Sequence, residues 1–218
     1  MSGNTLQHNI SYGTEILAFL VTILFFFRVK SKVSVLLLAL MSIIMITESM
    51  GRHKAVFKPH VNTFLVQNIE ILYEIATYLF IYYFSVKAPV LRRWIRLMII
   101  CFIIFSGIFA IYWQPLNATF PTKSIALGGI FILCSILIYF YEGLSTQGGH
   151  FYKDYLFYIS IGLFIFYANE IPVMTLFNYY LERHAVASKV AFIFYLKLTG
   201  SIIYYTLYSF GILWTIRK

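Results

Sequence analysis

The chain has 218 residues, of which 61% are hydrophobic, 20% aromatic and 11% charged. A soluble domain carries about 25% charged residues, so the composition excludes an ordinary water-soluble fold and predicts one membrane-embedded domain, 1–218. The net charge of +9 is no nucleic-acid signal. The basic residues stand at the ends of apolar runs, where they orient a protein in the lipid bilayer and meet its anionic headgroups.

A spanning helix needs about 20 mostly apolar residues. Seven such runs are predicted, over residues 14–27, 33–49, 63–86, 94–113, 124–144, 155–180 and 190–216. The expected fold is all-α: a polytopic transmembrane bundle of seven helices with short loops and antiparallel neighbours. The first run has neither a basic leader nor an Ala-x-Ala-like cleavage site, so it reads as a retained helix. Gly51, Pro59, Pro89, Pro115, Pro121 and the Gly148-Gly149 pair fall in the gaps between runs.

The first gap holds Arg28, Lys30 and Lys32, and the third holds Lys87, Arg92, Arg93 and Arg96. With seven spans these two gaps share a side with Arg217 and Lys218. The positive-inside rule makes that side cytoplasmic, with the N-terminus out and the C-terminus in. Trp94, Trp113 and Trp214 sit at run ends, as interfacial anchors do. Cys101 and Cys134 fall inside apolar runs and read as core residues; they form no Cys-x-x-Cys metal spacing.

The acids stand in unusual places. Glu70, Glu74 and Glu170 lie within runs, Glu15, Glu48 and Glu142 near run ends, and only Asp154 and Glu182 look like loop charges. In the third run, Gln67, Glu70, Glu74 and Thr77 recur at three- and four-residue spacing, which puts them on one helix face. In the sixth, Asn169 and Glu170 precede Pro172. A proline there frees a carbonyl near residue 168 for Asn169 or a water to satisfy. In the seventh, Lys197, Ser201, Tyr205 and Tyr208 share a face. A charge at this depth costs about 2.5–3.5 kcal/mol on insertion scales, so Lys197 needs a partner. Depth ranks Glu170 first and Glu70 next. The cluster as a whole carries more carboxylates than ammonium groups, so some carboxylates are expected to hold protons. His8, His53, His60 and His184 gather on the predicted outer side, without the spacing of a metal site.

Three resemblances bear on these residues. Lys197 with Glu70 or Glu74 is similar to the Schiff-base lysine and counter-ion of retinal proteins, although no aromatic polyene box is recognisable. Ser49-Met50-Gly51-Arg52-His53 resembles the Ser-x-x-x-His element of seven-helix zinc hydrolases. The remaining histidines and the aspartate which that zinc site needs are missing from the seventh and third runs. Over most of the chain, Tyr141-Glu142, the segment from Tyr158 through Tyr167-Ala168-Asn169-Glu170-Ile171-Pro172, and Asn178-Tyr179-Tyr180 resemble a group of small uncharacterised bacterial membrane proteins. That resemblance implies a bacterial inner-membrane setting and no activity.

The leading functional expectation is a sensory or accessory membrane protein that acts through a separate signalling partner or a homo-oligomer. A small transporter or channel using the intramembrane carboxylates is the alternative. An intramembrane lipid enzyme ranks lower, because no nucleophile–base pair or zinc spacing is present. No cofactor is assigned.

Overall fold

The computed structural model is all-helical and describes residues 2–52, 63–112, 121–182 and 187–216. Its seven described α-helices are α1 (Ser2–Arg28), α2 (Lys32–Arg52), α3 (Thr63–Ser85), α4 (Pro89–Tyr112), α5 (Thr122–Gln147), α6 (Tyr155–Glu182) and α7 (Ala187–Ile216), with a 3-10 helix, Gly148–Lys153, before α6. Pro59, Pro115, Trp113, His53, His60, His184, Arg217 and Lys218 lie outside the described residues.

Five helices are long and apolar enough to cross a membrane: α1, α2, α4, α5 and α6. The chain is therefore built as an integral membrane protein. The other two, α3 with 23 residues and α7 with 30, are long enough. They carry the polar residues of the sequence, Gln67, Asn68, Glu70 and Glu74 on α3 and Lys197, Thr199 and Ser201 on α7, which lower their apolarity.

Helix ends follow local chemistry. Ser31 precedes α2: the Ser34 N–H donates to Ser31 Oγ and the Ser31 N–H to Ser34 Oγ, each at 3.0 Å. This is a reciprocal cap that satisfies two donors the helix leaves orphaned. Pro89 opens α4 at the first helical position, where its missing N–H costs nothing. Asp154 caps α6 by accepting the Leu156 N–H at 3.1 Å. α1 begins well before the predicted run at residue 14. Apolar length marks the part of a helix suited to hydrocarbon, whereas the helix itself continues until the backbone meets a breaker. Ser11 and Thr14 are absorbed into it, the Thr14 hydroxyl donating to the Ser11 carbonyl at 2.7 Å.

Contacts group the chain into two units, 1–28 with 140–218, and 29–139. In the first unit α7 packs against α6 and α1. Phe25 of α1 meets Tyr155 at the start of α6, with ring centroids 4.7 Å apart. Thr22 Oγ1 donates to the Ala18 carbonyl at 2.6 Å and lies 2.8 Å from the Tyr208 hydroxyl. The end of α1, the start of α6 and the end of α7 thus share one end of the unit. α1 is parallel to α7, and α6 is antiparallel to both.

Small residues let α6 and α7 approach. A Cβ on Gly211 would lie 2.7 Å from Tyr158 Cβ and 2.9 Å from the Tyr155 carbonyl oxygen. A Cβ on Gly162 would lie 3.2 Å from both the Cα and the carbonyl oxygen of Tyr204. Close backbone approach through glycine is a common way for helices to associate where lipid removes the hydrophobic driving force.

In the second unit α3 packs against α2 and α4, around Leu37, Leu40, Met41, Ile75, Leu79 and Tyr82, all fully buried. Gly128 of α5 faces Ile75 and Phe102.

Gly211→Ala and Gly162→Ala should each destabilise the first unit by about 1–3 kcal/mol, the usual cost of overpacking. Gly13→Ala and Gly107→Ala, where nothing lies within 4 Å of the added atom, should be neutral or stabilise by up to about 1 kcal/mol through helix propensity. Thermal unfolding of the four variants in detergent checks the contrast.

Candidate functional site

The site is assembled on α6 and α7. Lys197 stands about 15 Å along the axis from Ala187 at 1.5 Å per residue. Its Nζ is 2.9 Å from Glu170 Oε1, so the partner ranked first by depth is the one it meets. The pair is lopsided: the Lys197 side chain is 31% exposed and that of Glu170 5%. The carboxylate belongs to the packed interior, and the ammonium reaches it from the rim. The second carboxylate oxygen, Oε2, is buried without a hydrogen-bond partner among the described residues.

Asn169 corrects an expectation. Its amide Nδ2 donates to the Leu196 carbonyl of α7 at 2.9 Å, rather than serving only the carbonyl freed within α6 by Pro172. Gly200 makes this bond possible. A Cβ there would stand 3.1 Å from Asn169 Nδ2, so a larger residue would crowd the amide. Glycine contact, amide bond and ion pair thus occupy successive levels of one antiparallel register, from Gly211 near Tyr158 to Lys197 beside Glu170. Ser201, one turn along α7, returns its hydroxyl to the Lys197 carbonyl at 3.2 Å. Tyr204, Tyr205 and Tyr208 continue the buried face.

Glu15 is buried on α1 and accepts the Ser11 hydroxyl at 3.1 Å. Because α1 runs parallel to α7 with Thr22 opposite Tyr208, Glu15 comes to the level of Ser201, one turn from Lys197. The first unit therefore gathers two buried carboxylates and one ammonium at neighbouring levels.

The remaining predicted residues, Arg28 excepted, belong to the second unit. Gln67, Glu70 and Glu74 are half-buried on α3, and Glu48 half-buried near the end of α2. Asn68, on a different face from the predicted stripe, is fully buried, and Thr77 of the stripe is buried as well. At the other end of that unit, Lys32 lies over the Phe84 ring at 5.4 Å and Arg92 over Tyr83 at 5.8 Å. Arg92 Nε and Nη2 also donate to the Val86 carbonyl, at 2.9 and 2.7 Å. The start of α2, the end of α3 and the start of α4 thus come together, as the basic-face prediction requires within this unit. Lys30, Arg93 and Arg96 are exposed there, and Arg28 is exposed at the end of α1 in the first unit.

Sequence reasoning did not anticipate the Thr22–Tyr208 contact or the buried Ser106 and Ser209 hydroxyls, which lack partners among the described residues. Neutral hydroxyls within apolar runs give little periodic signal. Only the placement of Tyr208 on the Lys197 face pointed that way.

Among the described residues no three His, Cys, Asp or Glu side chains gather as metal ligands would. No protein-family model, no curated protein and no solved structure matches the chain.

Lys197→Met strands the buried Glu170 carboxylate and should lower folded yield more than Glu170→Gln, which leaves an ammonium already partly exposed. The double variant should recover part of the loss, with a coupling of about 1–3 kcal/mol. A thermal-unfolding cycle on the four proteins measures it; additive losses would mean that the two groups do not interact.

Proposed function

We propose that the chain is a seven-span protein of the bacterial inner membrane, with its N-terminus out and its C-terminus in. In this reading it acts as a sensory or accessory component through a separate partner protein. One observation carries it: the ion pair between α6 and α7 stands two residues before Pro172. A proline in a helix interior interrupts the hydrogen-bond ladder, so the turn from residue 168 to Pro172 is the hinge. The ion pair fastens the helix within that turn. A ligand or a proton that takes Glu170 from Lys197 would release one packed arrangement in favour of another. Two arrangements separated by such a contact make a switch that needs no chemistry of its own. Lys32, Arg92, Arg93 and Arg96 would then mark the cytoplasmic end from which the partner is reached.

A second reading is favoured by the buried, unpartnered Glu170 Oε2. Carboxylates within spans line proton and ion paths, and a small transporter would use Glu170, with Glu15, as its binding groups. Glu70 and Glu74 would serve the same path.

A photo-crosslinker placed at residue 30 in cells at native expression should capture one discrete protein or a second copy of the chain. Capture should change when Glu170→Gln is introduced into a protein that still folds. Capture that ignores this substitution would remove the switch reading. Proton or cation uptake into liposomes, lost in Glu170→Gln, would establish the transport reading instead.

A further inference from the structure

Of the three arginines at the start of α4, one is turned inward and two are not. Arg92 closes the end of α3 through the Val86 carbonyl and the Tyr83 ring. Arg93 and Arg96 are exposed and make no ion pair among the described residues. They are three residues apart, which sets them side by side on the helix surface. The stripe they begin continues along α4 as Leu97, Ile100 and Ile104, each about half exposed.

Among the described residues no acid is paired with them. The sequence holds no Asp or Glu between Glu74 and Glu142, nor between Glu15 and Glu48. The acids of this unit, Glu48, Glu70 and Glu74, lie toward the end of α2 and in the first half of α3. That is the opposite end of the unit from Lys32, Arg92 and the start of α4. Two adjacent guanidiniums without a counter-charge, directly above an exposed apolar stripe in a membrane protein, match one kind of molecule. It has an anionic phosphate at the interface and hydrocarbon below it. A guanidinium pair binds phosphate oxygens in bidentate fashion.

We propose that Arg93 and Arg96 form a seat for the phosphodiester of an anionic glycerophospholipid. Its acyl chains lie along Leu97, Ile100 and Ile104. Trp94, exposed in the same turn, holds the height of the seat at the headgroup level. Arg92 takes no part in binding; it shapes the turn from which its two neighbours project. This seat is independent of the switch or transport readings of α6 and α7.

Native mass spectrometry of the full chain in detergent tests it, with phosphatidylglycerol and phosphatidylcholine of identical acyl chains as probes. The wild type should retain phosphatidylglycerol in preference, by roughly twenty-fivefold if each guanidinium contributes about a factor of five. Arg93→Gln with Arg96→Gln should abolish the preference. Lys153→Gln, which removes an exposed charge in the other unit, should keep it. Arg92→Gln should lower thermal stability while keeping most of the preference, which separates the seat from the cap. Equal retention of the two lipids by the wild type would overturn the proposal, as would a preference that survives in the double variant. Complete displacement by inorganic phosphate would also overturn it, since the site would then take a soluble anion.

Discussion

An ammonium inside a pair of apolar helices has to be neutralised at its own height. Neither helix can slide without separating the charges, so the Lys197–Glu170 pair fixes the register of α6 against α7. Breaking such a pair on one side leaves an uncompensated charge in a poor solvent, which costs far more than the pair contributes. The register in turn needs close approach, and the glycines supply it. Gly211 lies against Tyr155 and Tyr158, Gly162 against Tyr204, and Gly200 beneath the Asn169 amide. Each contact alone is worth little. Together they hold the backbones near enough for Asn169 to reach the Leu196 carbonyl and for Glu170 to reach Lys197.

The second unit treats charge in another way. Among the described residues it carries no such buried cation. Instead, Glu48, Glu70 and Glu74 lie toward one end, where Arg52 and Lys123 also stand, and Lys32, Arg92, Arg93 and Arg96 toward the other. At the basic end Lys32 and Arg92 are drawn onto Phe84 and Tyr83, where the last turn of α3 leaves carbonyls without intrahelical partners. The Arg92 guanidinium satisfies one of them twice over. Cations are favourable at a helix C-terminus for the same reason that anions are favourable at an N-terminus. Part of the positive-inside signal read from the sequence is therefore structural in this unit, and part, Arg93 and Arg96, stays exposed.

What could be read in the sequence follows from scarcity. Only a few charges fall within the apolar runs, so depth along each helix sufficed to rank Glu170 as the partner of Lys197. The helices were legible for a similar reason: apolar runs of span length have few alternatives, and the gaps hold prolines and glycines. The extension of α1 was not legible, because hydropathy says where hydrocarbon begins and not where a helix does. Thr22 and Tyr208 were hidden by chemistry. A threonine in a helix can return its hydroxyl to its own backbone, as Thr22 does to Ala18, and nothing in the sequence reveals that the same oxygen also meets Tyr208. The reach of Asn169 to α7 was hidden for the reverse reason. A freed carbonyl nearby suggested a local bond, but the bond across to α7 depends on an absence, the missing Cβ of Gly200, thirty-one residues away in the chain.

The order of these contacts along α6 decides where movement can occur. From Tyr155 to Glu170 the helix is held by glycine contacts, the amide bond and the ion pair, in that sequence. Pro172 follows at once. The bond that Pro172 removes is the one to the carbonyl near residue 168, so Glu170 and its contact with Lys197 stand inside the interrupted turn. Lys197 is the accessible member of the pair and Glu170 the buried one. An incoming anion would thus meet the ammonium first, whereas a proton would act on the carboxylate. Either route removes the same attraction, and the glycine-packed portion of α6 resists following it.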